Sequence, residues 1–213
     1  MEALRIQQML LGRLAVFAYL VWDEEAREGM LVDPAFETGR VLTAVQKAGY
    51  RVKWVVNTHH HTDHSSGNAA ILAATGAGLA IHRADARRLR APWNRAISRV
   101  LGGAGSPAPD RLLEHGDELE LGSGRVRVIH TPGHTQGGIS LYIPGHVFTG
   151  DSLFVGCVGR TDLPGGNGET LLSSIRERLY TLPEDTTVWP GHHYGDSPRS
   201  TIAREKAENP FTR

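Results

Sequence analysis

The chain has 213 residues, 40% of them apolar and 22% charged, a balance that suits a folded core and excludes a disordered chain. Lys plus Arg and Asp plus Glu each number 23, so the formal charge is zero, which argues against broad electrostatic binding to nucleic acid or an anionic membrane. The single cysteine, Cys157, excludes an intrachain disulfide and a cysteine-based zinc cluster, whereas the eleven histidines are many and unevenly spread.

In chain order, residues 1–20 are mildly apolar but broken by Arg5, Gln7, Gln8 and Arg13. They make a poor signal peptide, no run of eighteen apolar residues follows anywhere, and the cytoplasm is the expected compartment. Residues 14–22 and 29–32 read as strands, with a charged hairpin loop between them. Val41, Leu42, Val45 and Ala48 then share one face of a helix stopped by Gly49. Residues 52–57 form a buried-type strand apart from Lys53. Residues 68–75 form a small-residue helix, and residues 79–82 another strand. An arginine-rich helical stretch over 83–101 is broken at Pro92, and 102–109 (GGAGSPAP) is a flexible connector. Residues 125–130, 139–143 and 147–149 are strands. A helix over 170–182 carries Leu171, Leu172, Ile175 and Leu179 on its apolar face. A short strand at 187–189 and a helix over 200–208 close the chain. Strands come in groups with helices at intervals, which predicts sheets packed on each other with helices outside, a layered α/β (α+β) sandwich forming one domain over 1–213.

The chemistry-bearing text begins where the strand at 52–57 ends. Within six residues, THHHTDH offers His59, His61, Asp63 and His64. In an extended chain residues 59 and 61 share a side, and the turn that follows brings Asp63 and His64 around a second point. Imidazole and carboxylate are donors that zinc, iron and manganese accept. Three more strand ends each present a candidate donor beside a glycine: His134 in TPGHT, Asp151 in TGDS and His192 in PGHHY. Glycine permits the turn and the close approach that a crowded metal site needs. Four strand ends converging on one edge would make a rigid rim.

These motifs are similar to the five-part signature of the metallo-β-lactamase superfamily. Together with TGDSLF, VGRTDLPGG and STIAREKAENPF they resemble its glyoxalase II (hydroxyacylglutathione hydrolase) branch. The resemblance implies an αβ/βα four-layer sandwich with two divalent metal ions, zinc foremost and iron or manganese as alternatives. It implies His59, His61 and His134 on the first metal, Asp63, His64 and His192 on the second, and Asp151 bridging both. Asp33 matches an aspartate that supports the metal loop. His60, Thr62 and His193 fall at variable positions, and His82, His115, His130 and His146 read as ordinary surface or core residues.

The implied reaction is hydrolysis of a thioester, with Asp63 and Asp151 in the catalytic centre. Metal binding lowers the pKa of water toward ~7, so hydroxide is available to attack the carbonyl. The partner is then a small molecule, a thiol conjugate. Arg160 in GRTD and Tyr194 in HHY match substrate contacts of that group. Two departures stand out. The chain ends about twenty residues beyond His192, without the C-terminal helical domain of longer glyoxalase II enzymes. The stretch from 83 to 109 reads either as a lid or wall over the site or as a solvated basic helix. Persulfide dioxygenases share the same text and give the alternative reading: one iron held by His59, His134 and Asp151.

Overall fold

The computed structural model describes residues 4–213. Residues 1–3, the start of the segment read above as a poor signal peptide, lie outside the described residues. Among the described residues twelve strands form two six-stranded sheets. The first sheet runs in spatial order β1 (Leu4–Leu11), β2 (Val16–Asp23), β3 (Glu28–Val32), β4 (Arg51–Asn57), β5 (Gly78–His82), β6 (Arg111–Leu113). The second runs β12 (Ser200–Thr201), β11 (Thr187–Pro190), β10 (His146–Gly150), β9 (Ile139–Ile143), β8 (Gly124–His130), β7 (Glu118–Leu121). Strands β3 to β6 are mutually parallel, and β10 pairs parallel with β11.

Alternation along the strands explains the layers. On β2, Phe17, Tyr19 and Val21 face the second sheet and pack with Val126, Val128, Leu141 and Phe148. The intervening Ala18 and Leu20 face outward, against Val41 and Val45 of α1 (Thr38–Ala48) and Ile71 of α3 (Asn68–Thr75). The outer face of the second sheet buries Val147 and Val188 under Leu171 of α6 (Gly168–Ser174) and Ile202 of α7 (Ile202–Glu208). Two sheets between two helical layers are the mixed α/β, αβ/βα sandwich that the sequence motifs imply. Among the described residues no helix is long and apolar enough to cross a membrane.

Several boundaries differ from the sequence reading. The segment read only as mildly apolar is edge strand β1, paired with β2 over its whole length. Its apolar alternation is hidden because Leu4 and Ile6 serve the inter-sheet core whereas Met9 and Leu11 serve the helix-facing one. Leu14 precedes β2 in a turn where Ala15 takes φ 52°. Strands β6 and β7 are too short to show a period. The helix over 170–182 starts at Gly168, capped by the Asn167 side chain, and passes at Ile175–Leu179 into a wide π turn. Ser200 and Thr201 form an edge strand before α7 starts.

Candidate metal centre

The donors gather at one end of the sandwich, where β4, β8, β10 and β11 stop. From β4 the chain passes through His59, His60 and His61 into the short helix α2 (Thr62–Ser65), which turns Asp63 and His64 back toward the sheets. The loop after β8 brings in His134, the end of β10 brings Asp151, and the end of β11 brings His192. One donor atom each from His59, His61 and His134 lie within 4.8 Å of one another, and so do those of Asp63, His64 and His192. Asp151 lies between the groups: its carboxylate is 3.5 Å from His134 Nε2, 3.3 Å from His64 Nε2 and 3.4 Å from His192 Nε2. A Cβ at Gly191 would run into Asp151 Oδ1, which is why glycine precedes His192. All seven donors named from the motifs meet in this one place.

The surroundings decide which ring nitrogen faces inward. His134 Nδ1 donates to Arg160 O at 2.7 Å and His192 Nδ1 to Leu14 O at 2.9 Å, so each directs Nε2 at the centre. Asp33 accepts from Thr58 N at 2.8 Å and Thr58 Oγ1 at 2.6 Å, and its Oδ2 lies 3.0 Å from His64 Nδ1. Having donated to Asp33, the Thr58 hydroxyl accepts from His59 Nδ1 at 3.1 Å. Asp33 itself sits at φ 48°, a left-handed conformation that aspartate tolerates better than most residues.

The donor set fits a cation. His59 Nε2 and Asp151 Oδ1 are buried without a hydrogen-bond partner. His61 Nδ1 lies 2.9 Å from His134 Nε2, and His64 Nε2 lies 3.1 Å from His192 Nε2, ring nitrogens close enough in each pair to share a cation. Burial, then His134 and His60, push the His61 pKa down to about 3, and burial drives His59 well below its usual range, so both rings are neutral, the form that can ligate a metal. Burial also works against charge on His64, but Asp151, Asp63 and Asp33 outweigh it and raise its pKa to about 10. Burial would raise Asp151, yet His64 and His192 hold it below the ordinary carboxylate range. The centre is built for positive charge.

Two residues that motif reading passed over hold the metal loop. Asp85, fully buried on α4 (Arg83–Leu89), accepts from His60 N at 3.0 Å, Thr135 Oγ1 at 2.8 Å and Gly137 N at 2.8 Å, and lies 2.8 Å from His60 Nδ1. Asn94 on α5 (Pro92–Val100) donates to His60 O at 2.7 Å. The signal was present as an acid in an arginine-rich helix that begins right after a strand. Asn57 and Asn68 add a further buried pair under the loop at 2.6 Å.

A cleft of about 890 Å³ opens on the centre. His61, Asp63, His134, Asp151 and His192 floor it, and Trp93, Ile97, Phe154, Val158 and Leu163 supply apolar walls. The stretch from 83 to 109 is therefore a wall, through α5. Arg160 lines the cleft, but its guanidinium is bidentate on Asp162 at 2.7 Å for both bonds. Tyr194 lines it too, stacked on His192 at 4.6 Å between ring centres. Burial, then Asp151 and Asp63, push the Tyr194 pKa up to about 12, so its phenol stays a neutral donor. His193 turns away to pack on Phe17. His82 and His130 stack on each other at 4.0 Å, His115 accepts from His130 N, and His146 accepts from Trp189 Nε1, all outside the centre.

Comparison with known proteins agrees with this geometry. The family model described as Metallo-beta-lactamase superfamily matches residues 11–192. A curated relative, the mitochondrial persulfide dioxygenase ETHE1 of Bos taurus, is 34% identical over 208 residues, 96% of this chain and 74% of the relative. The crystal structure of BLEG-1 B3 metallo-beta-lactamase aligns with TM-score 0.87 at 31% identity, covering 98% of this chain and 99% of that one. That of TTHA1623 in a di-iron-bound form aligns with TM-score 0.82 at 35% identity, covering 96% and 99%.

Proposed function

The chain belongs to the metallo-beta-lactamase superfamily, and on that premise we propose that its cleft oxidises a thiol persulfide with O₂ at one iron ion held by His59, His134 and Asp151. The observation that carries this reading is the donor set: two imidazoles and one carboxylate on three separate strand ends, with His59 Nε2 and Asp151 Oδ1 buried and unpartnered. Two histidines and a carboxylate with open positions suit non-haem iron. Kinship with a persulfide dioxygenase over nearly the whole chain supports it, and kinship with a structure in a di-iron-bound form supports iron as the metal without favouring one ion over two. The order of the two readings is thus the reverse of that drawn from the motifs, where thioester hydrolysis stood first.

When bound, the iron supplies the electron transfer to O₂ and a Lewis-acid anchor for sulfur. The balanced reaction is RSSH + O₂ + H₂O giving RSH + H₂SO₃, in which the two sulfurs together give up four electrons. The chain's own residues do the rest. Asp151 offsets the metal charge, and Arg160 O and Thr58 Oγ1 fix the ring orientations of His134 and His59. Phe154, Val158, Leu163 and Trp93 line the cleft with apolar surface beside the centre. Tyr194 offers a donor hydroxyl beside His192. The test is metal analysis of the native protein with parallel assays of O₂ uptake on a persulfide and of thioester hydrolysis. Hydrolysis without O₂ uptake would overturn the proposal.

A second reading, a dinuclear hydrolase, is favoured by one observation: Asp63, His64 and His192 form a second complete donor triad. His64→Ala separates the two. For the mononuclear oxygenase the variant keeps one metal per chain and loses O₂ uptake only in part. A fall from two metals to one, with hydrolysis down by several orders of magnitude, marks the dinuclear enzyme instead.

Arg160 gives a further test. Its fork is already occupied by Asp162, and both side chains are exposed, so it serves an anionic substrate only by exchanging partners. Arg160→Ala is expected to raise KM for an anionic persulfide several-fold with little change in kcat, and to leave a small neutral substrate unaffected. Equal losses on both substrates would assign Arg160 to support of the loop that holds His134.

A further inference from the structure

Beside the cleft lies a second groove, of about 500 Å³, lined by Arg87, Arg88, Arg90, Ala91, Pro92 and Trp93. The two spaces share Arg88 and Trp93, so they adjoin. Two other arginines of this half of the chain hold carboxylates: Arg83 lies 2.6 Å from Glu114 and Arg125 lies 2.7 Å from Glu118. Among the described residues Arg87, Arg88 and Arg90 have no such partner. Arg88 donates instead to Pro164 O across the cleft mouth, which fixes the boundary between the two spaces. In a chain of zero formal charge, three guanidinium groups without counter-charge in one groove are a local feature, not a reflection of general basicity.

We propose that this arginine groove docks the phosphate-bearing end of a thiol carrier whose reactive sulfur lies at the metal centre; the proposal rests on the reading of the cleft given above. A guanidinium fork takes two oxygens of one phosphoryl group. A phosphate monoester brings a charge of about −1.5 to −2. A peptide thiol offers carboxylates partly cancelled by its own amine, a weaker match for three arginines without a carboxylate partner. Trp93, 60% exposed at the junction, presents a flat apolar face to the linker or to a heterocycle. The apolar walls at Ile97 and Leu163 suit an uncharged arm between the two polar ends.

The experiment is isothermal titration of the metal-loaded enzyme with coenzyme A, with pantetheine, which keeps the thiol arm but lacks the phosphates, and with glutathione. Coenzyme A is expected to bind about tenfold or more tightly than pantetheine, and the advantage to vanish in Arg87→Glu/Arg90→Glu and to shrink with added salt. Both side chains are exposed, so the fold stands in that variant. Equal affinity for coenzyme A and pantetheine overturns the proposal, as does a coenzyme A advantage that survives the charge reversal. Glutathione binding as tightly as coenzyme A, and weakened equally by the reversal, overturns the assignment to phosphate. Binding is read without turnover. A coenzyme A advantage that holds while no persulfide supports O₂ uptake therefore keeps the subsite and removes the reaction proposed for the cleft.

Discussion

Asp151→Ala is expected to abolish turnover on every substrate and to leave the chain with little or no bound metal. Asp151 reaches the Nε2 atoms of both donor groups, with oxygens 3.3 Å from His64 Nε2, 3.4 Å from His192 Nε2 and 3.5 Å from His134 Nε2. Asp63 reaches only His192 and His64, at 3.6 and 3.9 Å. With Asp151 gone, the first donor group is three imidazoles with no negative charge against a divalent ion in a buried site. Taking one partner from a buried charged pair costs about 3–5 kcal/mol. A metal-affinity loss of that size is roughly two to four decades. The activity loss is larger still, because the remaining metal is also misplaced. Metal content by elemental analysis and steady-state rates on persulfide and thioester check this. A variant with near-normal metal and rate would show that the seven donors do not form the reaction centre. Because the aspartate serves the oxygenase and the hydrolase alike, this result tests the centre itself and not the choice between them.

The seven donors were legible for a physical reason. All seven follow one of four strand ends, Asp63 and His64 on the short helix after β4, and three stand beside glycines that let the chain turn sharply or approach closely. Both features leave marks in a sequence. Gly191, which clears Asp151 Oδ1, is one. Asp33 was legible only through resemblance, because nothing in its local pattern announces the hydrogen bonds to Thr58 that it makes 25 residues further along. The inter-sheet and helix-facing layers follow from alternation on β2, where Phe17, Tyr19 and Val21 point one way and Ala18 and Leu20 the other. The same alternation fails to declare β1, since Arg5 and Gln7 on its outer face are solvated until α1 covers Met9 and Leu11.

The side of the cleft away from the motifs was harder to read. Both readings of the 83–109 stretch, wall and solvated helix, were open because its arginines do face water. What makes it a wall is the opposite face: Asp85, Asn94 and Ser98 are buried there, and two of them bond the metal loop. A buried polar residue in a basic helix carries no periodic signal, because its partner is fixed by tertiary packing. Arg160 shows the converse. Its position beside the cleft matches the resemblance, while its salt bridge to Asp162 two residues on depends on a side-chain geometry that spacing alone leaves open.

Asp85→Ala is expected to be the most damaging change outside the metal donors. The carboxylate is fully buried and serves donors from two loops: His60 N at 3.0 Å from the first, Thr135 Oγ1 and Gly137 N, each at 2.8 Å, from the second. Burial would raise its pKa, but the hydrogen bond and charge of His60, with Thr135, hold it below the usual carboxylate range, so it acts as an anion. Removing it leaves these donors facing a small apolar side chain. At about 1–3 kcal/mol for each unsatisfied buried group, partly relieved by water, the loss in folding stability is about 3–5 kcal/mol. The function is touched through position. His60 lies between His59 and His61, and Thr135 follows His134, so one carboxylate spaces all three donors of the first group. Outer hydrogen-bond partners of metal sites are commonly worth 10–100-fold in metal affinity. Denaturant unfolding of the metal-free protein and chelator competition on the loaded one measure the two effects separately. Thr135→Val, which removes one hydrogen bond and little volume, should give a smaller loss in both, about 1 kcal/mol in stability. A metal affinity untouched in Asp85→Ala despite the lost stability would mean that the donors keep their spacing without it. Asp85 would then be a core residue that happens to lie beneath the loop.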